Sequence, residues 1–164
     1  MSEQPSGENR PRIVVGVDGS ASSDQALHWA LRQAELTGAT VEAVIAWRFH
    51  LISSSHVVMP TDVLAPSTDF RKMAERVLAD AVSRATSGGL PVTVTQEVLE
   101  GDAAAVLIRE SAGADLLVVG SRGHGGLAEA LLGSVGQHCV HHAACPVVII
   151  RGDVRAAGPT AAVT

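Results

Sequence analysis

The residues best equipped to do chemistry lie in one stretch of fifteen, Gly120-Ser-Arg-Gly-His-Gly-Gly-Leu-Ala-Glu-Ala-Leu-Leu-Gly-Ser134. Gly120 and Gly123 stand three apart, and nine residues separate Gly123 from Gly133-Ser134. An apolar run, Leu116 to Val119, leads in, and a helical pattern leads out from near Gly133. Glycine permits positive φ angles and brings bare backbone N–H groups against a ligand, and a helix start adds unpaired donors and the positive end of its dipole. The chemistry implied is the binding of an anion, phosphate foremost. Arg122 is the loop's fixed cation, and Asp18, which ends another apolar run, could face the same crevice.

Three other phosphate or nucleophile loops fit poorly. The Walker pattern needs Gly-Lys-Ser/Thr, and the single lysine, Lys72, is far from any glycine loop. A dinucleotide fingerprint is nominally present as Gly123-His-Gly125-Gly-Leu-Ala128, but it starts four residues beyond the strand and no βαβ unit with a ribose-binding acid follows. Gly-x-Ser-x-Gly, the nucleophile elbow of many hydrolases, is absent.

The elements that must hold the loop alternate. Ile13 to Val17 reads as a buried strand closed by Asp18-Gly-Ser20, and a helix follows from Ser22 or Ser23 as cap to Gly38 as stop. Thr40 to Trp47 is a second strand. Phe70 to Ala85 repeats at helical spacing until Gly88-Gly89, Val92 to Leu99 alternates like a strand, and Asp102 caps a helix that ends near Ala112. After the strand Leu116 to Val119 and the glycine loop, Ser134 can cap a last helix ending near Ala144, and Pro146 to Ile150 is a fifth strand. This order predicts an α/β domain: an open, mostly parallel five-stranded sheet, Rossmann-like and doubly wound, with helices on both faces. In such sheets ligands bind at the carboxyl ends of strands, where Asp18, Ala46 and Gly120 each lie.

Length and composition suit that reading. The 164 residues make one domain, 12–151, flanked by polar or small-residue tails at 1–11 and 152–164 and interrupted by an aperiodic insertion at 50–68. Hydrophobic residues are 46% of the chain but aromatics only 2%, so Val, Leu, Ile and Ala must fill the core, as in a buried parallel sheet. A formal charge of −5 argues against a nucleic-acid or anionic-membrane surface. No apolar run reaches the roughly 18 residues of a membrane helix, and a cytoplasmic location is expected. Cys139 and Cys145 read as two buried free thiols.

Ile13-Val-Val-Gly-Val-Asp-Gly-Ser20, Val118-Val-Gly-Ser-Arg-Gly-His-Gly-Gly126 and Leu132-Gly-Ser-Val135 together resemble a universal stress protein over roughly Arg12 to Arg151. The Gly-x2-Gly-x9-Gly-Ser spacing is similar to that of the family's ATP-binding branch. The resemblance implies that Asp18 contacts ribose or adenine-side polar groups and that Ala46 offers main-chain atoms to the adenine edge. It further implies that Gly120, Gly123, Gly133 and Ser134 hold the phosphates, with Val135 adding backbone, and that two copies pair through Pro146 to Ile150. The departures are the serine-containing insertion and Leu127, where close relatives are expected to carry an aromatic.

ATP brings about four negative charges to a loop with one fixed cation, Arg122, so Mg2+ on the phosphate oxygens is expected, with Ser134 as a possible ligand. Lacking a lysine, an arginine pair and an evident base, the site is expected to hydrolyse ATP slowly or not at all and to act as a regulatory, stress-response dimer with an unknown protein partner. Two rival readings are an ATP-using enzyme of the pyrophosphatase or adenylylating type, which would carry a Ser-Gly-Gly-x-Asp-Ser loop where this chain has Val17-Asp-Gly-Ser-Ala-Ser22, and a nucleotide-free scaffold. Every flagged residue also has a plainer role: Asp18 and Ser134 as caps, Arg122 as a solvated side chain, the glycines as a loose loop. His138, His141 and His142 with Cys139 suggest zinc, but the spacing assembles no four-ligand set, so solvated or core histidines are the default. Trp29 and Trp47 read as core or crevice-wall residues, and Ser53-Ser-Ser55 as a loop open to phosphorylation.

Overall fold

The computed structural model describes residues 10–48, 67–123 and 132–152. Nearly all of the tails expected at 1–11 and 152–164 and of the insertion at 50–68, and the centre of the glycine loop including Leu127, lie outside the described residues. Among the described residues nine elements alternate: β1 (Arg12–Gly16), α1 (Ala21–Thr37), β2 (Thr40–Trp47), α2 (Ser67–Thr86), β3 (Val94–Glu100), α3 (Ala103–Glu110), β4 (Leu116–Gly120), α4 (Ser134–His142) and β5 (Val147–Ile150).

The sheet order is β3-β2-β1-β4-β5, and among the described residues every pairing is parallel. The chain winds outward from β1 to β2 and β3, then crosses to the other side of β1 for β4 and β5. Alternation along each strand divides the core in two. Ile13, Val15, Val41, Ala43, Ile45 and Val118 pack under α1 and α2, while Val14, Val44, Leu117 and Val119 pack under α3 and α4 with Val106, Leu107 and Cys139. Most of these side chains are aliphatic and β-branched, which suits strands covered on both faces.

Local chemistry sets the helix ends. Gly38 stops α1 in the left-handed region at φ 72°, with its N–H bonded to the Ala34 carbonyl. Asp102 caps α3 by accepting from the N–H groups of Ala104 and Ala105 at 3.1 and 3.2 Å. Two expected caps fall elsewhere. Ser20, not Ser22 or Ser23, caps α1, its hydroxyl accepting the Ser23 N–H at 3.2 Å, because the turn Asp18-Gly19-Ser20 delivers the chain to Ser20 in extended geometry. Ser22 and Ser23 are instead buried in the first turn. In α4 the cap is Gly133, Ser134 is the first helical residue, and no side chain among the described residues caps the amides. The helix also ends at His142 rather than near Ala144, with Ala143 already extended.

Candidate functional site

The winding reverses between β1 and β4, and parallel sheets of this kind leave a crevice where adjacent strands depart in opposite directions. A cleft of about 320 Å³ opens there, at the small end of the range for small-molecule sites. Asp18 enters from the end of β1, Ala46 from the end of β2, Gly120, Arg122 and Gly123 from the end of β4, and Gly133, Ser134 and Val135 from the start of α4. All eight residues singled out from the sequence therefore line one cleft.

The walls differ in chemistry. On one side is the first turn of α4. With Gly133 as cap and the first intrahelical bond running from Gln137 N–H to the Gly133 carbonyl at 3.0 Å, the amides of Ser134, Val135 and Gly136 are those that a helix start leaves without an intrahelical acceptor. They carry the positive end of the α4 dipole. The Gly133 amide is different: it donates to the Ser121 carbonyl at 2.9 Å, which anchors the helix start to the β4 end. Of the residues expected to hold phosphate at this helix start, Ser134 and Val135 are among the three free amides, Gly136 joins them, and the Gly133 amide is already used.

Two of the described glycines, Gly120 and Gly123, are needed for space and not for φ. None of Gly120, Gly123 and Gly133 has a positive φ in the range that disfavours side chains, contrary to the expectation from sequence. A Cβ on Gly123 would sit 2.6 Å from Asp18 Oδ2, so the missing side chain is what admits the carboxylate. Asp18 is held from the other side, its Oδ1 accepting the Ser20 N–H at 2.9 Å. A Cβ on Gly120 would meet Ser22 of α1, 2.5 Å from its hydroxyl and 2.8 Å from its carbonyl carbon. Gly120 thus serves helix-to-strand contact as well as lining the cleft. Gly133 could carry a methyl group in ordinary contact with Ser121, 3.4 Å from its carbonyl oxygen.

Opposite lies main chain. The last β1–β2 bond runs from Val17 N–H to the Val44 carbonyl at 2.8 Å. Strand alternation directs the N–H and C=O of Ala46, two residues beyond Val44, to the same side, past the point where β1 has turned away. The floor is apolar, made by Val44, Val119 and, from α3, Ala103 and Leu107. Sequence reading missed the α3 residues because α3 reaches the cleft only by packing across β1 and β2. Ser23 was known only as a candidate cap, yet it lines the cleft and its hydroxyl accepts the Asp18 N–H at 3.3 Å. Among the described lining residues Arg122 is the one cation; its side chain is exposed, while its N–H makes a long bond to the Ser22 hydroxyl at 3.4 Å.

A match to the model of the universal stress protein family covers residues 9–151. The chain belongs to that family. A universal stress protein of Mycolicibacterium smegmatis is 34% identical over 160 residues, which cover 88% of this chain and 49% of the relative. The chain spans about half the length of the curated relatives it matches. Among solved structures, a universal stress protein in complex with cAMP superposes with a TM-score of 0.64 at 25% identity, over 88% of this chain and 98% of its own. A universal stress protein from Lactobacillus plantarum shares the fold with a TM-score of 0.71 at 23% identity, over 88% of this chain and 100% of its own.

The remaining candidates lie away from the cleft. Trp29 and Trp47 pack, partly buried, against the core under α1 and α2, and neither lines the cleft. Cys139 and Cys145 are free; Cys139 is buried beneath α4 and Cys145 is half-buried. Burial, and next the neighbouring Cys145, push the Cys139 thiol up to about 11. Burial also raises Cys145, with Asp115 adding to it and Arg12 and a Leu117 backbone bond opposing. His138, His141 and His142 are exposed, while Cys139 on the same helix is buried. Among the described residues no helix is long and apolar enough to cross a membrane.

Proposed function

We propose that the cleft binds an adenine nucleotide, ATP, and that the protein acts as a nucleotide-dependent regulatory dimer of the stress response that hydrolyses ATP slowly or not at all. The observation that carries this reading is the uncapped start of α4, whose three amides face the cleft while apolar floor and outward-turned Ala46 main chain face them from the β2 side. Phosphate suits the first and a flat purine with polar edges suits the second. The likeness to a relative solved with cAMP supports an adenine nucleotide.

In this reading Ser134, Val135 and Gly136 donate backbone N–H groups to phosphate oxygens, and Gly123 keeps the loop thin enough for approach. Gly120 and Gly133 shape the wall, Arg122 swings in from solvent as a counter-charge, Asp18 accepts from the ribose and Ala46 pairs with the adenine edge. Among the described residues no group of three or more His, Cys, Asp or Glu side chains is placed to hold a metal. Mg2+ would therefore be held by phosphate oxygens, water and the Ser134 hydroxyl, the arrangement this ion favours. Rapid hydrolysis needs dense positive charge at the γ-phosphate and a placed base, and the described lining supplies one exposed arginine. Pairing through β5 fits the sheet: it is an edge strand, wholly apolar and partly exposed, that would otherwise present unpaired backbone groups.

Calorimetric titration with ATP, with and without Mg2+, tests the reading. Wild-type protein binds, Mg2+ tightens binding, and Gly123→Val abolishes it while the circular dichroism spectrum is unchanged. Absence of ATP binding to the wild type, or equal affinity in the variant, overturns it.

A further inference from the structure

The exposed histidines of α4 form an arrangement that nucleotide binding does not use. His138 and His142 stand one helical turn apart on one face, with ring centroids 6.4 Å apart and planes tilted by 39°. His141 lies beside the second ring at 6.2 Å. The Nδ1 of His138 is 2.8 Å from the Ser134 carbonyl oxygen. A carbonyl can only accept, so Nδ1 is the donor in that bond and Nε2 is the nitrogen left to offer a lone pair in the neutral ring. Metal-ligating histidines adopt this state, with one ring nitrogen donating to a backbone carbonyl to fix the tautomer and the other left to bind.

We propose that His138 and His142 form a two-point chelate for a divalent transition metal on the outer face of α4, completed by water. Imidazole pairs suit Cu2+, Ni2+ and Zn2+, with Cu2+ bound most tightly. Metal–nitrogen bonds of about 2.0–2.1 Å require the rings to close by on the order of an ångström, a rotation that exposed side chains on a helix surface can make. The α4 carboxyl end, with its unpaired carbonyls, adds favourable potential for a cation. Cys139, three residues before His142, takes no part because its side chain is wholly buried in the core. The chelate bridges successive turns, so it exists only while α4 is helical and metal binding stabilises that helix. Neither histidine lines the nucleotide cleft, although the Ser134 carbonyl that holds the His138 ring belongs to a residue that does.

The test uses untagged protein titrated with CuCl2 or NiCl2. Calorimetry of the wild type shows one site, and His138→Gln or His142→Gln weakens it at least tenfold, while His141→Gln changes affinity less than threefold. In wild-type NMR spectra, substoichiometric Cu2+ broadens the backbone amides of residues 138–143 before any others, a readout that needs no variant. The proposal is overturned if the wild type binds neither metal, if the double variant binds as tightly as wild type, or if broadening starts elsewhere.

Discussion

Gly120→Ala separates packing from ligand contact, because the sequence places Gly120 among phosphate-binding residues while the structure presses it against α1. The added methyl carbon would lie 2.5 Å from the Ser22 hydroxyl, 2.8 Å from the Ser22 carbonyl carbon and 3.0 Å from its oxygen. The hydroxyl can rotate away at small cost, since its bonds to Ile150 and Arg122 are 3.5 and 3.4 Å long. The carbonyl cannot, because it belongs to the backbone of the first turn of α1. Carbon atoms pack at about 3.5–4.0 Å, so α1 must withdraw from β4 by roughly 0.7 Å or more. Overpacking of this kind costs about 1–3 kcal/mol, and the entropy gained by replacing glycine in the unfolded chain returns about 0.4–1 kcal/mol. The two ranges leave a destabilisation of about 0–2.6 kcal/mol, near 1.3 kcal/mol at their centres, which for a chain of this size lowers Tm by roughly 3–5 °C. Gly133→Ala is the control: its methyl carbon meets only ordinary contacts, and its φ of −62° suits alanine. Differential scanning calorimetry without nucleotide reads both. A Gly120→Ala protein that melts with the wild type, or above the Gly133→Ala protein, refutes the packing argument and leaves ligand approach as the reason for that glycine.

The cysteines give a second expectation. At pH 8 iodoacetamide labels Cys145 well before Cys139 in the folded protein, as mass spectrometry of peptides would show; equal rates would contradict the burial. Because folding raises the Cys139 thiol from 9.0 to about 11, the folded state holds that proton more tightly. Its contribution to stability is complete below pH 9 and is lost as pH rises from 9 to 11, so urea midpoints fall across that window and fall less in Cys139→Ala. The proposed β5 pairing gives a third. Ladder bonds to Pro146 and Ile150 show which residues of the edge face β4, so Val147 directs its N–H outward. Val147→Pro removes that donor and leaves the β4 ladder intact; in sedimentation velocity the wild type runs as a dimer and the variant as a monomer with an unchanged spectrum. A wild type that sediments as a monomer would dispose of the pairing.

Much of the fold is legible along the chain. Runs such as Ile13-Val-Val and Leu116-Leu-Val-Val119 can be buried on both faces only in a covered sheet, and Gly38 and Asp102 act where their local chemistry places them. Residue type does not single out Ser20 as the cap, because Ser22 and Ser23 are equally good; the choice falls to the Asp18-Gly19 turn, and it buries the other two serines in the first turn of α1. For the cleft, residue types pointed to Asp18, Ala46, the glycines and Ser134, whereas Ala103 and Leu107 had no signal, since nothing in an alanine-rich helix tells which of its residues underlies a cavity built by other strands.

The sequence by itself determined the alternation of strand and helix, the aliphatic core and the family, because periodicity, caps and motif spacing are properties of neighbours along the chain. Tertiary structure alone decided the order β3-β2-β1-β4-β5, the crevice between β1 and β4, and the separate purpose of each glycine. Those depend on which distant backbones come within a methyl group's reach of each other. Gly120 against Ser22 and Gly123 against Asp18 are distances across space, and no spacing in the chain encodes them.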